Sequence, residues 1–259
     1  MRNMRSLAVF AVTAVVYCMS FSTAMALDEA VKIDNAAKVK AKDETVKQNK
    51  SKVGNDAAKI SGASRVIKEI AAIPKMKIPP DLLDGASAVV IIPGAAKHGF
   101  KVSGGSSGGV LLVHEKERTW GSPVFITISG STLGWQIVPE QMDIVLVLKS
   151  RTSVDALING KLIMNSRIAI VPGRLGPNMK AATAKEQKAE IATYIRSNGA
   201  FLEEAVVAGA TLKIDAVAND AFYARPKVDA GDIVAGKVVK ATEDVKALQK
   251  LLADYAATR

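Results

Sequence analysis

The spacing of apolar residues changes along the chain and predicts helices on either side of a β-rich middle. From Asp56 to Ile73, apolar residues recur at the interval of one helical face. The same spacing from Thr242 to Tyr255 predicts a C-terminal helix. A short helix is also expected from Asp215 to Tyr223, because an aspartate at its first position can accept hydrogen bonds from the free N–H groups of the first turn.

The middle of the chain carries short apolar runs separated by glycine, proline and polar turns, which is typical of β-strands. Two runs, in Val89–Ile92 and Ile144–Leu148, are apolar on both faces and are expected to be central. The short connections favour antiparallel pairing over β-α-β units. The predicted fold class is therefore α+β, with a curved antiparallel sheet or small barrel-like core flanked by N-terminal and C-terminal helices. The other predicted strands are Val110–Val113, Val124–Ile128, Leu133–Val138 and Ile168–Val171.

The first 26 residues have the pattern of a cleaved secretory signal peptide. Arg2 and Arg5 precede an apolar run, and Ala24-Met25-Ala26 follows it as a small-x-small cleavage site. We therefore expect an exported protein, periplasmic or extracellular, that lies peripherally on a membrane. The predicted organisation is a signal peptide (1–26), a basic helical arm (27–60), an α+β domain (61–236) and an amphipathic helix packed on it (237–259).

The net charge of the chain indicates which class of molecule is expected to bind it. The chain has 35 Lys and Arg against 25 Asp and Glu, a net charge of +10, and the two leader arginines account for 2 of it. A basic exported protein is suited to anionic lipid headgroups or surface polymers. Aromatic residues make up only 5% of the chain, so it lacks the stacking platforms of single-strand binders, and no nucleic-acid partner is expected.

Candidate catalytic and metal-binding residues are few. Gly104 to Gly108 matches the Gly-x-Ser-x-Gly pattern of a nucleophile elbow around Ser106, but a strand rather than a helix is predicted to follow it. Two histidines, His98 and His114, and a mature chain without cysteine do not make a metal-ligand set. We expect no enzyme, no metal and no cofactor, and a hydrolase acting through Ser106 is the minor alternative.

Basic residues cluster beside turns rich in glycine and proline. Exposed backbone N–H groups in such turns, with Lys and Arg nearby, form concave sites for phosphate. The alternative is that these are ordinary solvated charges at loop ends. The predicted headgroup-binding residues are Lys97, Lys101, Lys149, Arg151, Arg174 and Lys180.

An ordered series of motifs extends from Ser61 to Tyr223. It resembles the SYLF (Ysc84-type) lipid-binding domain family, and the chain is similar to exported bacterial members. The motifs are Ile78-Pro79-Pro80-Asp81-Leu82-Leu83, Ala88-Val89-Val90-Ile91-Ile92-Pro93, Lys97-His98-Gly99-Phe100, Gly108-Gly109-Val110-Leu111, Trp120-Gly121-Ser122-Pro123-Val124-Phe125, Gly134-Trp135-Gln136-Ile137, Asp143-Ile144-Val145-Leu146-Val147, Ala189-Glu190-Ile191, Tyr194, Arg196-Ser197, Ala218-Asn219 and Phe222-Tyr223.

The resemblance implies an α+β domain that binds phosphoinositides or other anionic lipids and has no catalytic residues to carry over. In eukaryotic members this domain accompanies membrane remodelling and actin binding. The predicted function is non-enzymatic binding of anionic phospholipid, with phosphoinositide-like headgroups, at a membrane surface. The alternative is an envelope structural or protein-interaction module whose basic surface meets a protein partner.

Overall fold

A computed structural model describes residues 56–73, 78–96, 107–115, 119–130, 141–164, 170–172, 189–197, 200–201 and 210–257. The predicted signal peptide and the predicted strand Leu133–Val138 lie outside these residues, as does the arm before residue 56. The described residues form one α+β unit whose core lies between a single sheet and its helices.

Nine strands lie within the described residues and form one sheet with the order β5-β9-β3-β2-β1-β4-β7-β6, while β8 also pairs with β7. Every pair is antiparallel except β6 with β7, which is parallel. The sheet curls into an open half-barrel. The predicted α+β class with a curved antiparallel sheet is therefore confirmed. The strands are β1 (Ala88–Ala96), β2 (Ser107–Val113), β3 (Val124–Gly130), β4 (Gln141–Leu148), β5 (Lys161–Ile163), β6 (Ile170–Pro172), β7 (Ile191–Ser197), β8 (Ala200–Phe201) and β9 (Ala210–Ile214).

The two runs predicted to be central are β1 and β4, which pair with each other in the middle of the sheet. Residues 88–92 and 144–148 are buried throughout, as expected for strands covered on both faces. In β3, by contrast, Thr127 and Ser129 are half-buried, whereas Val124, Phe125, Ile126 and Ile128 are buried. The prediction that β1 and β4 are central is therefore confirmed.

Six helices lie within the described residues. The helices predicted from periodicity are confirmed in α1, α4 and α6, which bury apolar side chains in the core. The Asp215 carboxylate accepts a hydrogen bond from the Ala218 N–H at 3.1 Å, so the predicted N-cap is also confirmed. The helices are α1 (56–71), α2 (Pro80–Asp84), α3 (Arg151–Ile158), α4 (Ala216–Tyr223), α5 (Ala230–Val234) and α6 (Glu243–Ala257).

Helix α3 was not expected from the sequence. It is short, but the Ser150 hydroxyl caps it by accepting from the Ser153 N–H at 3.3 Å, and Val154 and Leu157 are fully buried. The sequence pattern of Lys185 to Tyr194 is compatible with helix or strand, and its last residues begin β7, which is buried throughout between β4 and β6. Tertiary contacts decide the structure of both segments.

Helix α1 crosses the sheet instead of running beside it. Lys59 lies over the Phe125 ring on β3, Gly62 lies against Pro93 on β1, and Glu69 contacts Arg196 on β7. The ten helical steps from Lys59 to Glu69 extend about 15 Å. Long side chains at both ends extend the reach to the roughly 19 Å that separate β3 from β7. The crossing brings charged residues of α1 to strands β4 and β7.

Helix α6 is tied to the rest of the unit by hydrogen bonds to backbone carbonyls. The Tyr255 hydroxyl donates to the Ile78 carbonyl at 2.9 Å. The Gln249 amide donates to the carbonyls of Trp120 and Gly121 at 2.9 and 3.0 Å. The C-terminal helix is therefore an integral part of the fold.

Candidate functional site

Of the six predicted headgroup-binding residues, the structure describes Lys149 and Arg151. The other four, Lys97, Lys101, Arg174 and Lys180, lie outside the described residues. Lys149 is half-buried just after β4, and Arg151 is exposed at the start of α3, where its guanidinium pairs with Asp155 at 3.2 Å. The prediction that these six residues bind lipid headgroups stays a prediction.

The N-terminus of α3, beside Lys149 and Arg151, already holds an internal carboxylate. Glu190 accepts hydrogen bonds from the hydroxyls of Ser150 and Ser153 at 3.0 and 2.8 Å. A helix N-terminus attracts negative charge because its first N–H groups are unpaired. The Glu190 carboxylate therefore already provides, at this helix N-terminus, the negative charge that a bound phosphate would provide.

The antiparallel pairing of β1 and β4 separates two groups of predicted residues. Ala96, the last described residue before Lys97, pairs with Gln141, whereas Leu148, which precedes Lys149, pairs with Ala88. The two ends of β4 lie about 23 Å apart at a rise of roughly 3.3 Å per residue. The described sheet does not by itself bring these positions together.

The basic excess of the chain lies outside its described framework. The described residues carry 14 Lys and Arg and 15 Asp and Glu, so that part of the chain is close to neutral. Subtracting these from the totals of 35 and 25 leaves 21 basic and 10 acidic residues in the remainder. Most of the excess positive charge of the sequence therefore belongs to residues outside the described ones.

A second charged site lies at the other end of β4, where four side chains form one ion-pair cluster: Arg65, Glu69, Asp143 and Arg196. Asp143 on β4 and Arg196 on β7 are directly opposite in the antiparallel register, so their side chains lie on the same face of the sheet. Arg65 and Glu69 come from α1 and are four residues apart, which places them on one side of the helix.

Asp143 is the centre of the cluster. Its Oδ2 accepts from Arg196 Nη2 at 2.7 Å, and its Oδ1 accepts from Arg65 Nη2 at 3.2 Å and from the Gly94 N–H at 3.0 Å. Gly94 has φ +60° at an irregularity of β1, a conformation that favours glycine. The bend in β1 thus directs a backbone donor at the carboxylate.

Glu69 completes the cluster from the solvent side. Its carboxylate accepts from Arg65 Nη1 at 3.2 Å and also from Arg196 Nη2, which therefore bridges both carboxylates. Only 8% of the Arg196 side chain and 11% of the Asp143 side chain are exposed, whereas Arg65 and Glu69 are much more exposed. Two arginines against two carboxylates leave the cluster without net charge.

The surroundings of each carboxylate lower its pKa. Burial of Asp143 favours its neutral form, but the hydrogen bonds from Arg196 and Gly94 and the two arginine charges outweigh burial and lower the pKa. The hydrogen bond from Arg196 is the largest influence on Glu69 and lowers its pKa as well. Burial opposes the charged form of Arg196, yet its two carboxylate partners raise its pKa. The cluster is therefore fully ionised at neutral pH.

The cluster borders a cavity of about 240 Å³. The rest of the cavity wall is formed by the start of β4 and by the ends of β1 and β7. Ser197, at the end of β7, donates a hydrogen bond to the Gln141 carbonyl at the start of β4 at 2.8 Å. The lining residues are Arg65, Glu69, Gly94, Gln141, Met142, Asp143, Arg196 and Ser197.

The sequence reasoning missed this cluster, although two signals point to it. Arg65 and Glu69 have the i, i+4 spacing of a helical ion pair, and Arg196 is the one charged residue in the segment 191–197. The pairing of Arg196 with Asp143, however, depends on β7 lying beside β4 in one register. Periodicity along the chain does not contain that information.

The residues considered for catalysis receive little support from the described structure. Ser106 and His98 lie outside it, and Ser107 begins β2, so a strand and not a helix follows Ser106. The ring of His114 stacks on Trp120, and its Nδ1 is 3.1 Å from the Ala86 carbonyl.

No group of acidic, histidine or cysteine residues suited to a metal occurs among the described residues. Nor is any described helix both long and apolar enough to cross a membrane.

Comparison with known proteins identifies relatives over much of the chain. Residues 129–255 match the sequence model of the Ysc84 family, described as "Las17-binding protein actin regulator". SH3 domain-containing YSC84-like protein 1 from Xenopus laevis is 27% identical over 199 residues, which are 74% of this chain and 58% of the relative. The Homo sapiens protein of that name is 27% identical over 145 residues, 54% of this chain and 42% of the relative. An SH3 domain-containing protein from Schizosaccharomyces pombe is 28% identical over 166 residues, 63% of this chain and 38% of the relative.

The chain spans about half the length of these relatives. The matched family region extends from β3 into α6, so it includes the central strand β4 and the Asp143–Arg196 pair. The resemblance read from the sequence motifs is therefore confirmed: residues 129–255 match the Ysc84 family model, and the relatives that carry its name are similar over much of the chain.

Proposed function

We propose that this protein is a non-enzymatic module that attaches to anionic phospholipid through basic segments carried by a nearly neutral framework. On this proposal it is exported and lies peripherally on a membrane surface. The observation that carries the proposal is the distribution of charge, because the described framework has 14 basic and 15 acidic residues, while the rest of the mature chain, without Arg2 and Arg5, has 19 and 10.

This distribution matters because electrostatic attraction to a membrane acts at short range. Each Lys or Arg near an anionic leaflet contributes about 1 kcal/mol, and the attraction fades within a Debye length. The segments 97–106 and 173–188 have net charges of +2 and +3 from their Lys, Arg and Glu residues. Four predicted headgroup residues lie in these two segments: Lys97, Lys101, Arg174 and Lys180.

Vesicle co-sedimentation tests the proposal. Purified mature chain is mixed with neutral phosphatidylcholine vesicles and with vesicles that contain anionic lipid, at low and at high salt. The first variant changes Lys97, Lys101, Arg174 and Lys180 to Gln. The matched control changes four framework lysines to Gln and so removes the same charge: Lys213, Lys237, Lys246 and Lys250.

We expect binding to anionic vesicles only, weakened by salt and lost in the first variant but retained in the control. Equal binding to neutral vesicles would contradict an electrostatic mechanism. Equal loss in both variants would show that net charge alone, and not these segments, causes binding. Phosphoinositide-containing vesicles and vesicles with another anionic lipid at matched charge then test headgroup preference.

Protein binding is the second candidate function. It is favoured by the description of the matched family, which names Las17 binding and actin regulation, and by the SH3 domains in the names of the relatives. Co-sedimentation of the purified chain with filamentous actin tests it directly. Saturable binding to actin, together with no enrichment on anionic vesicles, would favour this candidate over the lipid-binding proposal.

A further inference from the structure

We propose that Arg65 and Arg196 bind a singly charged external oxyanion, a carboxylate or a phosphodiester, and that Glu69 occupies this place in the unliganded protein. The site is the cavity beside the ion-pair cluster, formed wholly by described residues. None of its lining residues belongs to the basic segments of the proposed function, so variants of the lining residues test it independently of that proposal.

Arg196 provides an oriented donor at the cavity wall. Its side chain is nearly buried, and its Nη2 donates to both Asp143 and Glu69. Among the described residues, no acceptor binds its Nε or Nη1. A guanidinium has five N–H donors in a planar fork that matches an anion with two free oxygens. Arg196 therefore has capacity for a further acceptor on the cavity side.

Glu69, and not Asp143, is the carboxylate that can leave. The Asp143 side chain is held by Arg65, Arg196 and the Gly94 N–H, and it is mostly buried. The Glu69 side chain is 42% exposed, and both of its partners are side chains that border the cavity. Exposed ion pairs contribute little because water and salt compete with them. An external anion can thus take the place of Glu69 without disturbing Asp143.

Charge balance selects the class of ligand. With Glu69 in place, two arginines face two carboxylates. When a singly charged anion replaces Glu69, the balance stays at zero, whereas a doubly charged phosphate monoester leaves a local excess of one negative charge. Like charges at short distance in a partly buried site are unfavourable. The site should therefore prefer a carboxylate or phosphodiester over a phosphate monoester.

The cavity also has room for the remainder of a ligand. Its volume of about 240 Å³ exceeds that of the anionic group alone, and Gln141, Met142 and Ser197 supply amide, thioether and hydroxyl surface beside the arginines. A ligand with a small polar substituent next to its charged group fits these surroundings.

Titration of the full mature chain with simple anions tests the inference. The probes are acetate, dimethyl phosphate and methyl phosphate, the last doubly charged at about pH 8, all at one ionic strength. Binding is followed by nuclear magnetic resonance at the Gly94 amide, which donates to Asp143 inside the site. The variants are Glu69→Ala, Arg65→Met and, as a control with the same charge change, Glu243→Ala on the exposed first turn of α6.

We expect Glu69→Ala to bind acetate and dimethyl phosphate about five-fold more tightly than the wild type, because five-fold corresponds to the roughly 1 kcal/mol of an exposed ion pair. Glu243→Ala should match the wild type, and Arg65→Met should lose binding. Tighter binding of acetate would indicate a carboxylate ligand, and tighter binding of dimethyl phosphate would indicate a phosphodiester.

The inference is overturned if Glu69→Ala and Glu243→Ala change affinity equally, since the effect is then one of net charge. It is also overturned if methyl phosphate binds more tightly than both singly charged anions. Arg65 is half exposed, so its replacement by Met leaves the buried part of the cluster in place. A folded Arg65→Met variant that binds as well as the wild type equally refutes the site.

Discussion

The ion pair between Asp143 and Arg196 should stabilise the fold several times more than a surface pair of similar length. Its Oδ2–Nη2 distance is 2.7 Å, and the Nζ–Oδ2 distance of the surface pair Lys250–Asp254 is 2.8 Å. The two pairs differ in exposure, because 75% and 61% of the Lys250 and Asp254 side chains are accessible to water. They therefore isolate the effect of burial.

The structure allows an estimate of both coupling energies. At an effective dielectric constant of 20, two unit charges about 4 Å apart attract by about 4 kcal/mol. Desolvation of the buried groups cancels part of this, which leaves a coupling of about 2 kcal/mol for Asp143 and Arg196. For Lys250 and Asp254 the coupling should be below about 0.5 kcal/mol, since exposed pairs are weak and the cation precedes the anion along the helix.

Two double-mutant cycles measure these energies. The first uses Asp143→Ala, Arg196→Met and the double variant, and the second uses Lys250→Ala, Asp254→Ala and their double variant. Unfolding is followed in urea, because guanidinium salt would screen the charges. Arg196→Met alone should cost about 3 kcal/mol, since it leaves Asp143 buried without its closest partner. Coupling energies equal within error in the two cycles would refute the reasoning from burial.

Two further predictions concern hydrogen bonding and pH. The Asn219 side chain is fully buried and makes three hydrogen bonds: it accepts from the Phe125 N–H at 2.9 Å and donates to the carbonyls of Phe125 and Asp215 at 3.1 and 3.0 Å. Because Asn219→Ala leaves these backbone groups without their partner, it should lower the free energy of unfolding by about 3 kcal/mol. Urea titration measures the loss of unfolding free energy, with Asn159→Ala at an exposed position as the control. A loss in Asn219→Ala as small as that in the control would contradict the prediction. The pKa of Asp143 lies lower in the folded than in the unfolded chain, so its stabilisation is present at neutral pH and is lost as pH falls through about 4 and below. Urea midpoints between about pH 3 and 6 should therefore fall less steeply in Asp143→Asn than in the wild type, and equal slopes would disprove the link.

Much of the fold follows from local patterns. Helices α1 and α6 are long, and each has an apolar face at the helical repeat, so their positions follow from sequence alone. Strands β1 and β4 were identified as central, because runs that are apolar on both faces require cover on both sides. Helix α3 was missed because its eight residues are too few to show a clear repeat.

The candidate site was less predictable for a physical reason. Each basic residue beside a turn is visible in the sequence, but whether two of them meet depends on strand order and register. Lys149, for example, follows the end of β4 that pairs with Ala88, away from the end that precedes Lys97. The N-terminus of α3, near Lys149, is occupied by the carboxylate of Glu190, which comes 41 residues after Lys149 in the sequence.

By itself, the sequence determined the fold class, the central strands, three of the helices and the resemblance to the Ysc84 family, because these depend on periodicity, capping and motif order along the chain. The tertiary structure alone decided that Arg65, Glu69, Asp143 and Arg196 form one neutral cluster beside a cavity. A helix that crosses the sheet brings together residues up to 131 positions apart, and the energy of their interaction depends on distance and burial, not on separation in sequence.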